Sequence, residues 1–205
     1  MVATRLSVWP GSMRFAAFCS SAIWIATGSA AGAPGAQEVH VGPVMNFIKA
    51  SVDGWISDPI IIDAVKAQNA ANARISKADI AALDNEWISE INNRSRPMID
   101  KAMSTPLSHF LREKEEEAGG TITELIVMDA KGLNVGQSGI TSDYWQGDED
   151  KFIKSFEKGP SAVFVDDARK DESTQMLQSQ VSMTIVDENH NPIGAITIGV
   201  NLDQL

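Results

Sequence analysis

Tyr144 and Trp145 stand side by side in a polar stretch, and Tyr144 is the only tyrosine in the chain. Two flat rings with a phenolic edge suit stacking on a small molecule at a half-wet site, or the anchoring of a loop in the core. Asp143 precedes the pair. Further on, Asp166, Asp167, Asp171 and Glu172 crowd one loop whose cations are Arg169 and Lys170. Converging carboxylates favour a cationic or amine-bearing ligand, or a bound metal cation. A solvated acidic loop needs no ligand, and Asp171-Glu172-Ser173-Thr174 would also cap a short helix through its hydroxyls.

Covalent chemistry finds little support. The three histidines, His40, His109 and His190, fall in a tail, on a helix and in a turn, without His-Glu-x-x-His spacing. Gly136-Gln137-Ser138-Gly139 lacks the pattern of a nucleophile elbow, and no glycine-rich loop ends in a lysine that would hold phosphate. Cys19, the only cysteine, lies in a segment expected to be removed, which leaves no disulfide, thiol nucleophile or thiolate metal site. Asn93-Arg94-Ser95 matches a glycosylation triplet of the kind that occurs by chance. An enzyme is not expected, nor is a cofactor.

The elements that must position these residues divide into helices and then strands. Val44, Met45, Phe47, Ile48, Val52, Trp55 and Ile56 recur at three- and four-residue steps and predict one long helix, interrupted at Asp58-Pro59. A second helix runs from Ile60 to about Ala73. Ser76 with Asp79 forms a capping box for a third, whose stripe is Ile80, Leu83, Trp87, Ile88 and Ile91. Ser104-Thr105-Pro106 opens a fourth, which Gly119-Gly120 stops. From Thr121 the apolar period becomes two, giving a hairpin through Asp129-Ala130-Lys131-Gly132 to a return strand Leu133 to Gln137. A short helix around Phe152 and Phe156 ends at Gly159-Pro160. Strands then follow at Ala162 to Val165, Gln178 to Val186 and Gly194 to Val200. The expected class is α+β, with a long N-terminal helix and further helices packed on a five-stranded antiparallel sheet whose strands follow one another as a meander.

The chain has 205 residues with 17 Lys and Arg against 27 Asp and Glu, a net charge of −10, so an anionic partner such as nucleic acid or acidic lipid is disfavoured. Up to Ala36 there is no acid at all. Arg14, the apolar run Phe15 to Ala26 and the small residues Gly28 to Ala33 have the layout of a secretory signal peptide, with cleavage expected near Ala31 and no later than residue 36. An uncleaved anchor is the alternative, although about 20 strongly apolar residues are needed to span a bilayer and this run is shorter. Met13 competes with Met1 as the start. The expected divisions are a signal peptide 1–31, a flexible tail 32–43 and one domain 44–205. Loss of Arg5 and Arg14 leaves 15 basic against 27 acidic residues, and a mature charge of −12.

From Val44 to Leu205 the chain resembles an extracytoplasmic Cache (PAS-like, PDC) sensor domain. Met128-Asp129-Ala130-Lys131-Gly132 matches the family's hairpin turn, and Val186-Asp187-Glu188 with Pro192 to Val200 matches its closing strand pair. Thr141 to Asp148 and the loop from Asp166 to Gln175 are similar to its pocket loops. The resemblance implies a PAS-like sheet that packs one face on the long helix and offers the other to a ligand. Val181, Met183 and Ile185 would form the packed face. Gln180, Ser182 and Thr184, with Ala195, Thr197 and Gly199 of the last strand, would form the other, unless that face simply meets water. The residues expected to touch ligand are therefore Asp143, Tyr144, Trp145, Asp166, Asp167, Asp171, Ser182, Thr184 and Thr197. The Arg-x-Trp signature of the family's amino-acid-binding members is missing at Trp145, so a clamp for an amino-acid carboxylate is not expected.

The resemblance also implies a periplasmic, ligand-binding sensor. Because the chain stops at Leu205 without an output region, it would signal through a separate membrane-bound sensor kinase, chemoreceptor or transporter. The alternative is a periplasmic protein-protein interaction module without a pocket. The long helix, with Phe47, Ile48 and Trp55, would either make a parallel homodimer or cover the sheet.

Overall fold

The computed structural model describes residues 39–170 and 176–205, which fall in a compact unit spanning Pro34–Leu205. The expected signal peptide, Asp171 and Glu172 lie outside the described residues. Helix α1 spans Val41–Ser51 and α2 spans Pro59–Ala71. Helix α1 ends earlier than its apolar stripe. Beyond Ser51 the chain tightens into turns in which the N–H groups of Trp55 and Ile56 both donate to the Val52 carbonyl, at 3.0 and 3.1 Å. The stripe therefore stays on one side while the regular helix stops. Asp58 then caps α2 by accepting the Ile60 N–H at 2.9 Å, with Pro59 in the first helical position.

Helix α3, Lys77–Ile91, starts with the expected capping box: Ser76 accepts from the Asp79 N–H and Asp79 accepts from the Ser76 N–H, both at 3.1 Å. A short helix that the sequence patterning does not announce follows, α4 at Pro97–Met103. Arg96 gives it no side-chain cap. The cap comes instead from Glu90 of α3, only 6% exposed, whose carboxylate accepts the Met98 and Ile99 N–H groups at 2.9 and 3.0 Å. Helix α5, Pro106–Glu117, is capped by Thr105 and ends where Gly119 and Gly120 take positive φ, 59° and 94°.

Strands β1 (Ile122–Asp129), β2 (Asn134–Gln137), β3 (Val163–Val165), β4 (Arg169–Lys170), β5 (Leu177–Val186) and β6 (Pro192–Asn201) form one antiparallel sheet in the order β2-β1-β6-β5-β3, with the two-residue β4 also paired to β5. Setting β4 aside, this is the expected five-stranded antiparallel PAS-like sheet of the α+β class, but it is not a meander, because the last strand, β6, returns to the centre and pairs with both β1 and β5. Helix α6 (Asp150–Ile153) and a 3-10 turn (Phe156–Lys158) lie between β2 and β3.

The two faces of the sheet are unequal. Val181, Met183, Ile185, Ile196, Ile198 and Val200 join Leu125, Val127 and the stripes of α1, α2 and α5 in a cluster of sixteen buried apolar residues. At about 1.5–3 kcal/mol for each large side chain, that face supplies most of the burial energy. Val44 and Ile48 are spent inside it, so the stripe of α1 covers the sheet. The second face holds a cluster of only four buried residues, Ile126, Met128, Ala195 and Phe152, with Phe156 packed against it.

Candidate functional site

Two clefts open on the second face near the start of β5, and Gln178 and Gln180 line both. The smaller, about 250 Å³, lies between Glu149 and Lys151 at the head of α6 and Asp166, Asp167 and Arg169 beyond β3. The larger, about 600 Å³, runs past Thr123 and Glu124 of β1 to Glu115 and Asn201. β-Strand alternation puts Gln178 and Gln180 on this face with Ser182 and Thr184. The Gln180 amide donates to Glu124 Oε1 at 2.5 Å, and Thr123 Oγ1 donates to Gln178 Oε1 at 3.1 Å.

Asp166 is held chiefly through its backbone. Its N–H donates to the Gln180 carbonyl at 2.8 Å, and its own carbonyl meets Ser179 Oγ at 2.7 Å and His40 Nε2 at 3.0 Å. The carboxylate accepts the Asp167 N–H at 2.9 Å and faces Arg169 at 3.5 Å. Across the cleft Lys151 pairs with Glu149 at 3.1 Å and donates to Gln146 Oε1 at 2.9 Å. Each cation is thus matched by an acid, while among the described residues no ion pair forms at Asp167, Glu115 or Glu124. The surplus is negative, which suits a cationic group.

The other expected ligand residues lie elsewhere. Ser182 and Thr197 are fully buried and share a hydrogen bond of 2.9 Å, and Thr184 Oγ1 donates to the Gly159 carbonyl at 2.8 Å. Ser182, Thr197, Ile126 and Gln137 are successive cross-strand partners and so form one transverse row on the second face. Gln137 is fully buried, and neither atom of its amide has a partner among the described residues.

Asp143, Tyr144 and Trp145 do not line the clefts beside Asp166. The Tyr144 ring stacks on Trp87 at 5.5 Å, and the N–H groups of Tyr144 and Trp145 both donate to Asp84 Oδ1 at 2.9 Å. The Trp145 indole N–H donates to the Lys131 carbonyl at 2.8 Å. The Asp143 carbonyl accepts from Thr141, Gln146 and Asn134 side chains at 2.6, 2.8 and 3.1 Å, and its carboxylate accepts from Ser142 at 2.7 Å. This segment is an anchored loop, and burial together with the nearby Asp129 charge pushes the Tyr144 phenol up to about 12.

Of the expected set, Asp166 and Asp167 share a cleft. Glu149, Lys151, Glu124 and Gln178 were not singled out from the sequence, and Gln180 was legible only as a member of the polar strand face. The position of Gln137 depends on the β1–β2 register, which the turn Asp129–Gly132 signals only in part. Among the described residues no three His, Cys, Asp or Glu side chains gather in a group that could hold a metal ion. No helix among the described residues is long and apolar enough to cross a membrane.

No family model matches the sequence, and no curated protein does. Solved structures match it at low identity. The V. cholerae histidine kinase DctB sensor domain is 11% identical with a TM-score of 0.37, covering 80% of this chain and 54% of its own. The ligand-binding domain of the Campylobacter jejuni chemoreceptor Tlp3, in complex with L-valine, is 10% identical with a TM-score of 0.39, covering 76% and 63%. The E. coli DcuS sensor domain is 16% identical with a TM-score of 0.35, covering 62% and 89%. The chain spans little more than half to three-fifths of the first two. These are similarities of fold alone.

Proposed function

We propose that this chain is an extracytoplasmic sensor module that binds a small cationic or amine-bearing molecule non-covalently in the clefts beside Gln178 and Gln180. The observation that carries the reading is the open, acid-rich space on the second sheet face, next to a first face that is fully packed by helices. Asp166 and Asp167 supply charge at one wall and Glu124 at the other, while the glutamine amides orient polar groups. Asp171 belongs to the same loop in sequence and is assigned to the same role. The liganded state is read by a membrane-bound sensor kinase, chemoreceptor or transporter, and residues 1–31 direct export before cleavage.

The test is a thermal-shift screen of the purified protein against amines, amino acids, carboxylates, purines and divalent cations. A ligand at a hundred times its dissociation constant adds about 2.7 kcal/mol of stability. Amines are expected to raise the melting temperature, and Asp167→Asn together with Glu124→Gln is expected to abolish the effect. Absence of any amine response, or an amine response that survives both substitutions, would reject an acidic binding site. A flat response across the panel would turn the reading to a pocketless interaction module.

A further inference from the structure

A third cleft, of about 390 Å³, lies at the other end of α6 and shares no lining residue with the two beside Gln180. One wall is the start of α3 with Ile75 and Ile80; the other is the β1–β2 turn with Trp145 and Phe152. Helix α3 buries only Trp87 and Glu90, both in its second half. Its N-terminal half therefore overhangs the cleft with Ile80 only partly covered. That volume falls at the lower end of the range of small-molecule sites, about 300–1,000 Å³.

The floor is rigid without any ligand. The indole N–H of Trp145 is tied to the Lys131 carbonyl at 2.8 Å. A Cβ on Gly147 would come within 2.4 Å of that indole nitrogen, and a Cβ on Gly132 within 2.5 Å of the Gly147 Cα. Turn, loop and ring thus interlock at van der Waals contact, and a rigid floor lowers the ordering cost of binding.

The rim is basic. Lys77 and Lys131 line the cleft, are exposed, and make no ion pair among the described residues. Glu157 is the one acid of the lining. At the start of α3 the capping box already takes up the Ser76 and Asp79 N–H groups, so the charge of the rim is carried by the two lysines. We infer that this cleft binds a small monocarboxylate with an apolar body, the body between Ile80 and the Trp145 and Phe152 rings and the carboxylate at Lys77 and Lys131. The inference does not rest on the acidic site beside Gln180, and it predicts the opposite ligand charge.

The probes are sodium 3-phenylpropionate and 3-phenylpropylamine, which share an apolar body and differ in charge. Phenylpropionate is expected to raise the melting temperature saturably and to change tryptophan fluorescence, while any response to the amine is expected to be lost in the Asp167→Asn/Glu124→Gln variant and kept when the two lysines are replaced. Ile80→Ser and the double variant Lys77→Gln/Lys131→Gln alter exposed or half-exposed side chains and are expected to weaken phenylpropionate by about tenfold or more each. Asp167→Asn is expected to leave its binding unchanged. Failure of phenylpropionate and of the smaller isovalerate to give a saturable response overturns the inference, as does a response that survives the lysine and Ile80 substitutions. Binding lost in Asp167→Asn but kept in the lysine variant also overturns it, and would place the carboxylate in the other cleft.

Discussion

Asp129 shows how one side chain ties two parts of the chain together. It is fully buried; Oδ1 accepts the N–H groups of Lys131 and Leu133 at 2.7 and 3.1 Å, and Oδ2 accepts from Asn72 and Gln68 at 2.8 and 3.0 Å. Asp129→Ala would strip four donors at once and is expected to cost about 3 kcal/mol or more in urea unfolding. The turn was legible from Asp129 and Gly132, but the tie to α2 was not, since Gln68 and Asn72 lie 61 and 57 residues away. Tyr144 is legible by type and not by partner, because the aromatic preference for half-wet sites describes a ligand wall and a loop anchor equally well. Being the only tyrosine, it can be titrated by its own ultraviolet absorbance. The folded protein is expected to ionise near 12. With the folded pKa raised above the unfolded value of about 10, the phenol's contribution is intact below pH 10 and lost as pH rises toward 12. Tyr144→Phe should remove that alkaline sensitivity, and an ionisation midpoint near 10 in the folded state would contradict it.

Caps and turns that close within four residues were readable along the chain: Asp58 before Pro59, Ser76 with Asp79, Thr105 before Pro106. Helix α4 was not, because its cap comes from Glu90 eight residues upstream on another helix. Glu90→Ala is expected to leave the Met98 and Ile99 N–H groups unpartnered and to cost about 1–2 kcal/mol. If denaturation shows no loss, the short helix is held by packing of Ile99 alone. Two of the local carboxylates also carry a pH signature. Hydrogen bonds from Ser76 hold Asp79 below the usual carboxylate range, and bonds from Asn191 and then Asn189 do the same for Asp187. Since each folded pKa is depressed, the support these turns give is present at neutral pH and is lost as pH falls through the lowered values. Asp79→Asn and Asp187→Asn should each flatten the acid limb of a melting-temperature profile.

At the scale of the whole molecule, alternation along β5 and β6 forecast both the packed and the polar face, and the described body has both. What covers the polar face was beyond the sequence, because it depends on where the α6 segment folds back. The compact unit begins at Pro34, so a chain started at Gln37 should melt at the same temperature as one started at Met1 if residues 1–33 add nothing to the body. The sheet order has one more consequence. Strand β6 is the central strand, bonded to β1 on one side and β5 on the other, and β1 and β5 share no ladder of their own. Without β6, the β1–β2 hairpin and the β3–β5 pair share no backbone ladder and meet only through side chains, as in the bond from Gln180 to Glu124. Completion of the sheet therefore waits for β6, and is expected to be slowed by closure of a contact spanning from Ile122 to Val200.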